Sequence, residues 1–135
     1  MNALLEHPNI DVNLPDETGA TPLWYAIAQK HTDVALRLLR HPGVDITREH
    51  IDTEETCIYK ACNNGLVEVV QALLEHPNIS TIINKSAAEN GNAPIHACIR
   101  LQKDDPQILR QKKTECLIAL ISHPGKRYFY FICYF

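Results

Sequence analysis

LLEHPNI, residues 4–10, recurs verbatim as residues 73–79. LLRHPGV at 38–44 is a close copy, and LISHPGK at 120–126 is a worn one. The four His-Pro pairs, at 7–8, 41–42, 76–77 and 123–124, are spaced by 34, 35 and 47 residues. A near-constant period of this size marks a repeat architecture. A second motif keeps the same beat: TPLWYA at 21–26, TCIYKA at 56–61 and APIHAC at 93–98. Thr21 and Thr56 each precede the His of the next His-Pro pair by 20 residues, whereas Ala93 precedes His123 by 30. The last unit therefore holds ten extra residues, placed in LQKDDPQILRQ at 101–111.

Each unit reads as two short helices. Pro22 suits a first helical position, where its missing N–H has no partner to lose, and Thr21 can cap. Val34, Ala35, Leu38 and Leu39 then recur at helical spacing, as do Val69, Val70, Leu73 and Leu74. His-Pro ends the second helix, because the residue before a proline is pushed out of the α region. The connectors NIDVNLPDETGA and GVDITREHIDTEET hold β-branched and turn residues, so short extended hairpins are expected there. Neither helix buries its apolar face alone, but stacking one pair on the next does. The expected fold class is an all-α repeat solenoid, helix-turn-helix pairs joined by short β-hairpin-like loops.

These units resemble ankyrin repeats, whose period is about 33 residues and whose signature is T-P-L-H-x-A. TPLWYA keeps that signature except for Trp24 in place of His. Gly19 matches the tip glycine, and Gly65 matches the glycine between the two helices. Ile10–Asn13 resembles the segment that closes a repeat. APIHAC keeps the His, at His96, and loses the Thr. TCIYKA loses Pro, Leu and His, and Glu54 replaces its tip glycine. The tetratricopeptide pattern W-x₂-L-G-x₂-Y is absent. The resemblance covers residues 3–125 and divides residues 1–127 into a partial repeat at 1–13 and repeats at about 14–48, 49–84 and 85–125. Because the chain opens on a second helix without its first, a piece of a longer array is expected.

Residues 128–135, YFYFICYF, stand apart: they hold all three Phe and three of the five Tyr. Three readings stay open for this tail: a strip covering the open face of the last repeat, a membrane-surface or partner anchor, or no role at all. Its eight residues are too few to span a bilayer, and no apolar run elsewhere is long enough. MNALLEHPNI shows neither the basic nor the apolar region of a secretory signal.

Catalytic and cofactor chemistry finds little support. Net charge is −3, which argues against nucleic acid as a partner. The basic groups Arg110, Lys112, Lys113 and Lys126-Arg127 read as exposed helix surface. No phosphate-binding glycine motif occurs, and the chain has five glycines in all. The five cysteines form no CxxC pair, so buried reduced thiols are expected, with Cys133 the candidate reactive one. A histidine repeated at 7, 41, 76 and 123 points to helix ending, since a catalytic His would be singular. His50 reads as solvated. The resemblance gives His96 an inter-repeat hydrogen bond. Cys98 lies two residues from His96, and neighbours at that spacing do not face each other on a helix. Asp104-Asp105 reads as a solvated turn. No cofactor, no metal and no enzyme activity are expected.

Binding remains. The resemblance implies a concave face of hairpin tips and first helices that contacts a partner protein. Its contact positions fall on Glu17, Thr18, Ala20, Ala28 and Gln29; on Asp52, Thr53, Glu55, Asn63 and Asn64; and on Glu89, Asn90, Asn92, Arg100 and Leu101. Glu17, Asp52, Glu55 and Glu89 make the tips acidic, which favours a partner with a basic patch. The extra loop from Gln102 to Lys112 departs from the beat and is a second candidate surface. Leu5, Asp11, Val12 and Asn13 resemble the pattern recognised by an asparaginyl hydroxylase, with Asn13 the candidate modified residue. The expected function is a non-enzymatic interaction module, cytoplasmic or acting in a host cytosol as an effector. The alternative is a regulatory or recruiting piece of an enzyme or effector whose catalytic domain lies elsewhere. Oligomeric state is left open.

Overall fold

The protein's structure, a computed structural model, describes residues 7, 9–85, 91–100 and 105–123. Among these residues there are six α helices and no extended strand. They are α1 (Pro22–Ala28), α2 (Thr32–Leu39), α3 (Cys57–Asn64), α4 (Val67–Leu74), α5 (Pro94–Ile99) and α6 (Gln107–Ser122), with a 3₁₀ turn at Ile79–Thr81. Helices α1, α3 and α5 stack into one layer; α2, α4 and α6 stack into the other. This is the all-α repeat solenoid that the sequence implies. The first half-unit lies outside the described residues except for His7 and 9–13, as does the whole 128–135 tail.

The first helices begin as the sequence dictates. Thr21 and Thr56 are 2% and 1% exposed, and each side-chain oxygen accepts the backbone N–H three residues on, at 3.2 Å. Each cap satisfies a donor that would otherwise be orphaned at a buried helix start. In the last unit Ala93 has no hydroxyl; there His96 Nδ1 accepts the Ala93 N–H at 3.0 Å.

The first two complete helix pairs turn through the same C-cap. His31 N–H bonds Ala26 O, and Lys30 N–H bonds Ile27 O. Leu66 N–H and Gly65 N–H repeat this on Ala61 O and Cys62 O. Such a Schellman motif needs a left-handed residue. Gly65 provides it at φ +67°, and Lys30 is forced into it at φ +60°. A left-handed L-residue costs about 1–2 kcal/mol, and glycine's extra chain entropy returns part of that. Lys30→Gly is therefore expected to stabilise the array by about 0.5–1 kcal/mol. The readout is a higher urea midpoint at unchanged slope.

Helices α2 and α4 end two residues before the histidine of the His-Pro pair, at Leu39 and Leu74, with Arg40 and Glu75 as caps. The histidine works inside the turn instead. Nδ1 of His7, His41 and His76 accepts the N–H of the residue two positions on, at 3.3, 3.2 and 3.2 Å. His123 Nε2 lies 3.1 Å from Leu74 O, at the end of the preceding unit's helix.

Among the described residues the connectors are hairpin-like without forming a sheet, and a single antiparallel bridge joins Glu49 to Thr56. Asn13 ties two of them together. Its Nδ2 donates to Gly43 O and its Oδ1 accepts Asp45 N–H, both at 2.7 Å. Asn13→Ala removes both bonds and is expected to cost about 1–3 kcal/mol, read as a fall in the urea midpoint.

The ten extra residues correct one expectation. Gln107–Lys112 is helix, not loop: it extends α6 to 16 residues where α2 and α4 have eight. The two added turns lie over the start of α4. A Cβ on Gly65 would stand 2.8 Å from Leu109 Cδ1, so the bare glycine lets α6 approach.

Two further expectations are corrected there. Lys113 is not exposed basic surface: it is 3% exposed. Its ammonium donates to Asp105 Oδ2 at 3.2 Å and to Arg100 O at 3.1 Å. Asp105 is accordingly half of a buried ion pair, not part of a solvated turn.

Cys57, Cys62, Cys98 and Cys116 are buried and free. Burial, with the Asp45 charge second, pushes the Cys57 thiol up to about 12. The Cys116 thiol is also pushed up, first by its hydrogen bond with Cys98 and then by burial. Thiols held protonated in this way are unreactive.

Candidate functional site

The tips of the first two connectors lie side by side: Ile51 N–H donates to Thr18 O at 2.8 Å. The Asp16 carboxylate builds the first tip. Oδ1 accepts Thr18 N–H, Thr18 Oγ1–H and Ala20 N–H at 2.8, 2.7 and 3.0 Å. Oδ2 accepts the Tyr25 hydroxyl at 2.6 Å. The Tyr25 bond first, and the Thr18 hydroxyl next, hold this carboxyl at about 2 against an ordinary 3.8. The same contact raises Tyr25 above its ordinary phenol value.

The linkage sign follows from a depressed folded value. Asp16 supports the tip fully above pH 3.8 and loses that support as pH falls toward 2. Tyr25→Phe deletes the strongest of these bonds. The Asp16 carboxyl is then expected to titrate closer to 3.8, read from its carboxyl ¹³C shift against pH.

Beside the tips, α1 presents two aromatic rings. Trp24 lies edge-to-face with Tyr25 at 5.8 Å and packs tilted against His50 at 4.6 Å. Lys60 Nζ sits 5.2 Å from the Trp24 ring centroid and pairs with Glu55 at 3.1 Å. His50 is thus ring-packed and half-buried rather than solvated, which corrects its reading. Tyr25 and Ile51 remain 44% and 64% exposed.

The candidate contact residues divide by position. Glu17, Gln29, Asp52 and Arg100 are exposed; Thr18, Ala28, Thr53, Glu55, Asn63, Asn64 and Asn92 are half-buried. Ala20 is a correction: at 2% exposed it packs under the tip and has no surface for a partner. Asn64 spends its amide inside the array, donating to Ile27 O at 2.9 Å. Glu89, Asn90 and Leu101 lie outside the described residues. The connectors bring Glu17, Thr18, Asp52 and Thr53 onto one rim, and Glu54, in the left-handed region at φ +50°, joins them.

Sequence reasoning missed Trp24, Tyr25, His50 and Lys60. The only signal was Trp24 at a position where the repeat signature carries His. Among the described residues, no group of three His, Cys, Asp or Glu side chains is arranged to hold a metal. No helix there is long and apolar enough to cross a membrane.

A rim of hairpin tips beside stacked helix pairs defines the class as a helical repeat protein. The family model "Ankyrin repeat" matches residues 18–50. That segment matches an ankyrin repeat, and the described residues around it fold as an all-α repeat solenoid. Two curated relatives are similar to it. Alpha-latrotoxin-Lg1a of Latrodectus geometricus is 29% identical over 90 residues, which is 67% of this chain and 6% of the toxin. SMC5-SMC6 complex localization factor protein 1 of Bos taurus is 27% identical over 128 residues, 94% of this chain and 12% of that protein. The chain thus spans about a tenth or less of the relatives it matches. Ankyrin repeats are in general protein–protein interaction modules, typically without catalysis of their own.

Proposed function

We propose that this chain binds a partner protein through its concave face, with the paired tips and the exposed side of α1 as the contact. The observation that carries the reading is the joined tip pair. Glu17, Asp52 and Glu54 are exposed on it next to Ile51 and Tyr25, a mixture of apolar anchor and unpaired negative charge. Aromatic anchors with a charged rim are the usual composition of an interface centre. The acidic rim favours a partner with a basic patch and speeds its encounter. Four buried free thiols support a reducing, cytoplasmic compartment, in the source cell or a host.

The share of its relatives that the chain covers supports a second element of the proposal. The array serves as a targeting or recruiting segment of a longer protein, whose own activity lies outside these residues. One relative carries the name of a complex localization factor, in keeping with such a role.

The test is affinity capture from lysate with the wild-type chain beside a Glu17→Lys, Asp52→Lys, Tyr25→Ala variant. A protein held by the first and lost by the second places binding on the rim. Equal capture by both moves binding to another surface and overturns the assignment.

A further inference from the structure

Cys62, Cys98 and Cys116 come from three helices and meet in the core. Helix α3 packs on α5 and α6, and α5 packs on α6. The Cys98 thiol lies within hydrogen-bonding reach of both Cys116 and Cys62. Cys62 and Cys116 are 0% exposed, and Cys98 is 3% exposed. Cys57 is equally buried at the start of α3, beside the Asp45 charge. A free buried cysteine packs as a small hydrophobe, so three at one junction add a chemistry that packing does not need.

The helix that carries Cys98 is the least supported of the first helices. α5 has six residues, against seven in α1 and eight in α3, and it begins at Ala93 without the threonine cap of the other two. Folded proteins open locally where such support is thin. Closed, the cluster is inert, because the thiolate and not the thiol is the nucleophile. Opening of α5 brings Cys98 to water, where its thiolate forms.

We propose that Cys98 and Cys116 form an oxidative modification site, which takes hydrogen peroxide and closes to a disulfide between α5 and α6. On opening, the Cys98 thiolate attacks one peroxide oxygen. An S–O bond forms, the O–O bond breaks, and the leaving hydroxide takes up the proton that the thiol gave, as water. Reclosure sets the resulting sulfenic acid against Cys116. The Cys116 sulfur then attacks it: an S–S bond forms, the S–O bond breaks, and the hydroxyl leaves as water with the Cys116 proton. Two thiols together lose two electrons, and one peroxide becomes two waters. The bridge closes the segment that holds the ten extra residues, and it constrains the opened state of that unit. A reducing compartment restores both thiols by exchange when α5 opens again.

The test treats the full chain, carrying Cys133→Ser, with hydrogen peroxide and then alkylates the remaining thiols with N-ethylmaleimide in urea. Intact mass and peptide mapping are expected to show a loss of about two daltons before alkylation, a Cys98–Cys116 bridge, and alkylated Cys57 and Cys62. Urea below the unfolding midpoint should speed bridging about tenfold, because it favours the open form. The bridged chain should unfold at a higher urea midpoint than the reduced one. Cys98→Ser is expected to abolish bridging and Cys62→Ser to leave it. Cys98→Ala and Cys62→Ala repeat the test if either first variant loses its helical circular dichroism. Full alkylation of Cys57, Cys62, Cys98 and Cys116 after treatment, a bridge to Cys57 or Cys62, a sulfinic acid at Cys98 in place of a bridge, or bridging that urea does not speed would each overturn the proposal.

Discussion

Ile58→Ala is expected to cost about 4 kcal/mol, within the range for deleting a large buried aliphatic side chain. Ile58 is 0% exposed on α3, the helix that packs against α1, α4, α5 and α6. A stacked array is held by contacts between neighbours, so a cavity in the middle unit weakens both of its interfaces at once. A domain of this length has about 7–20 kcal/mol of stability in all. The variant should therefore show a much lower urea midpoint. Its slope should also fall, as the outer units begin to melt apart from the middle one. Ile108→Ala is the control. That side chain is 65% exposed, and its removal should move the midpoint by less than about 0.5 kcal/mol. Equal effects from the two would mean that the three units do not share one continuous core.

Asp105→Ala is expected to cost about 3 kcal/mol. It leaves the Lys113 ammonium, 3% exposed, with Arg100 O in place of a counter-ion. Breaking a buried pair from one side is costly because the remaining charge stays desolvated. The double variant Asp105→Ala, Lys113→Met should recover most of the loss, since it removes the stranded charge and keeps the packed stem. Urea unfolding of the wild type, the two single variants and the double gives the coupling directly. A double variant no better than Asp105→Ala would mean that the stranded Lys113 charge is not the source of the loss.

Local chemistry made much of this fold readable. Thr21 and Thr56 announce helix starts by their position before a Pro or an apolar run, and they do cap. The His-Pro beat and the apolar spacing of Val69, Val70 and Leu73 locate the second helices. What stayed hidden depends on contacts distant in sequence or on the depth of packing. Gln107–Lys112 holds good helix formers, yet a broken period reads as a loop. Whether α6 extends is settled by the bare surface at Gly65, more than forty residues earlier. Lys113 looks like its exposed neighbour Lys112 until the fold brings Asp105 and Arg100 O to it. His50 looks solvated until Trp24, from the preceding unit, packs on its ring. Ala20 matched a contact position by alignment alone, and only the folded tip shows that it points inward. The candidate rim was legible as a set of tips, but not as a pair joined through Thr18 and Ile51.

The His-Pro turns carry a consequence for how the array can be watched. In three of them Nδ1 accepts a backbone N–H, which places the ring proton on Nε2. His123 lies with Nε2 against a carbonyl, which calls for the same tautomer. Four imidazoles in one tautomeric form, each at the end of a different unit, make a built-in set of ¹⁵N reporters. As a turn opens, its ring is released to the tautomer mixture of a free histidine. Following the four signals through a denaturation series would date the loss of each unit separately, with no label added.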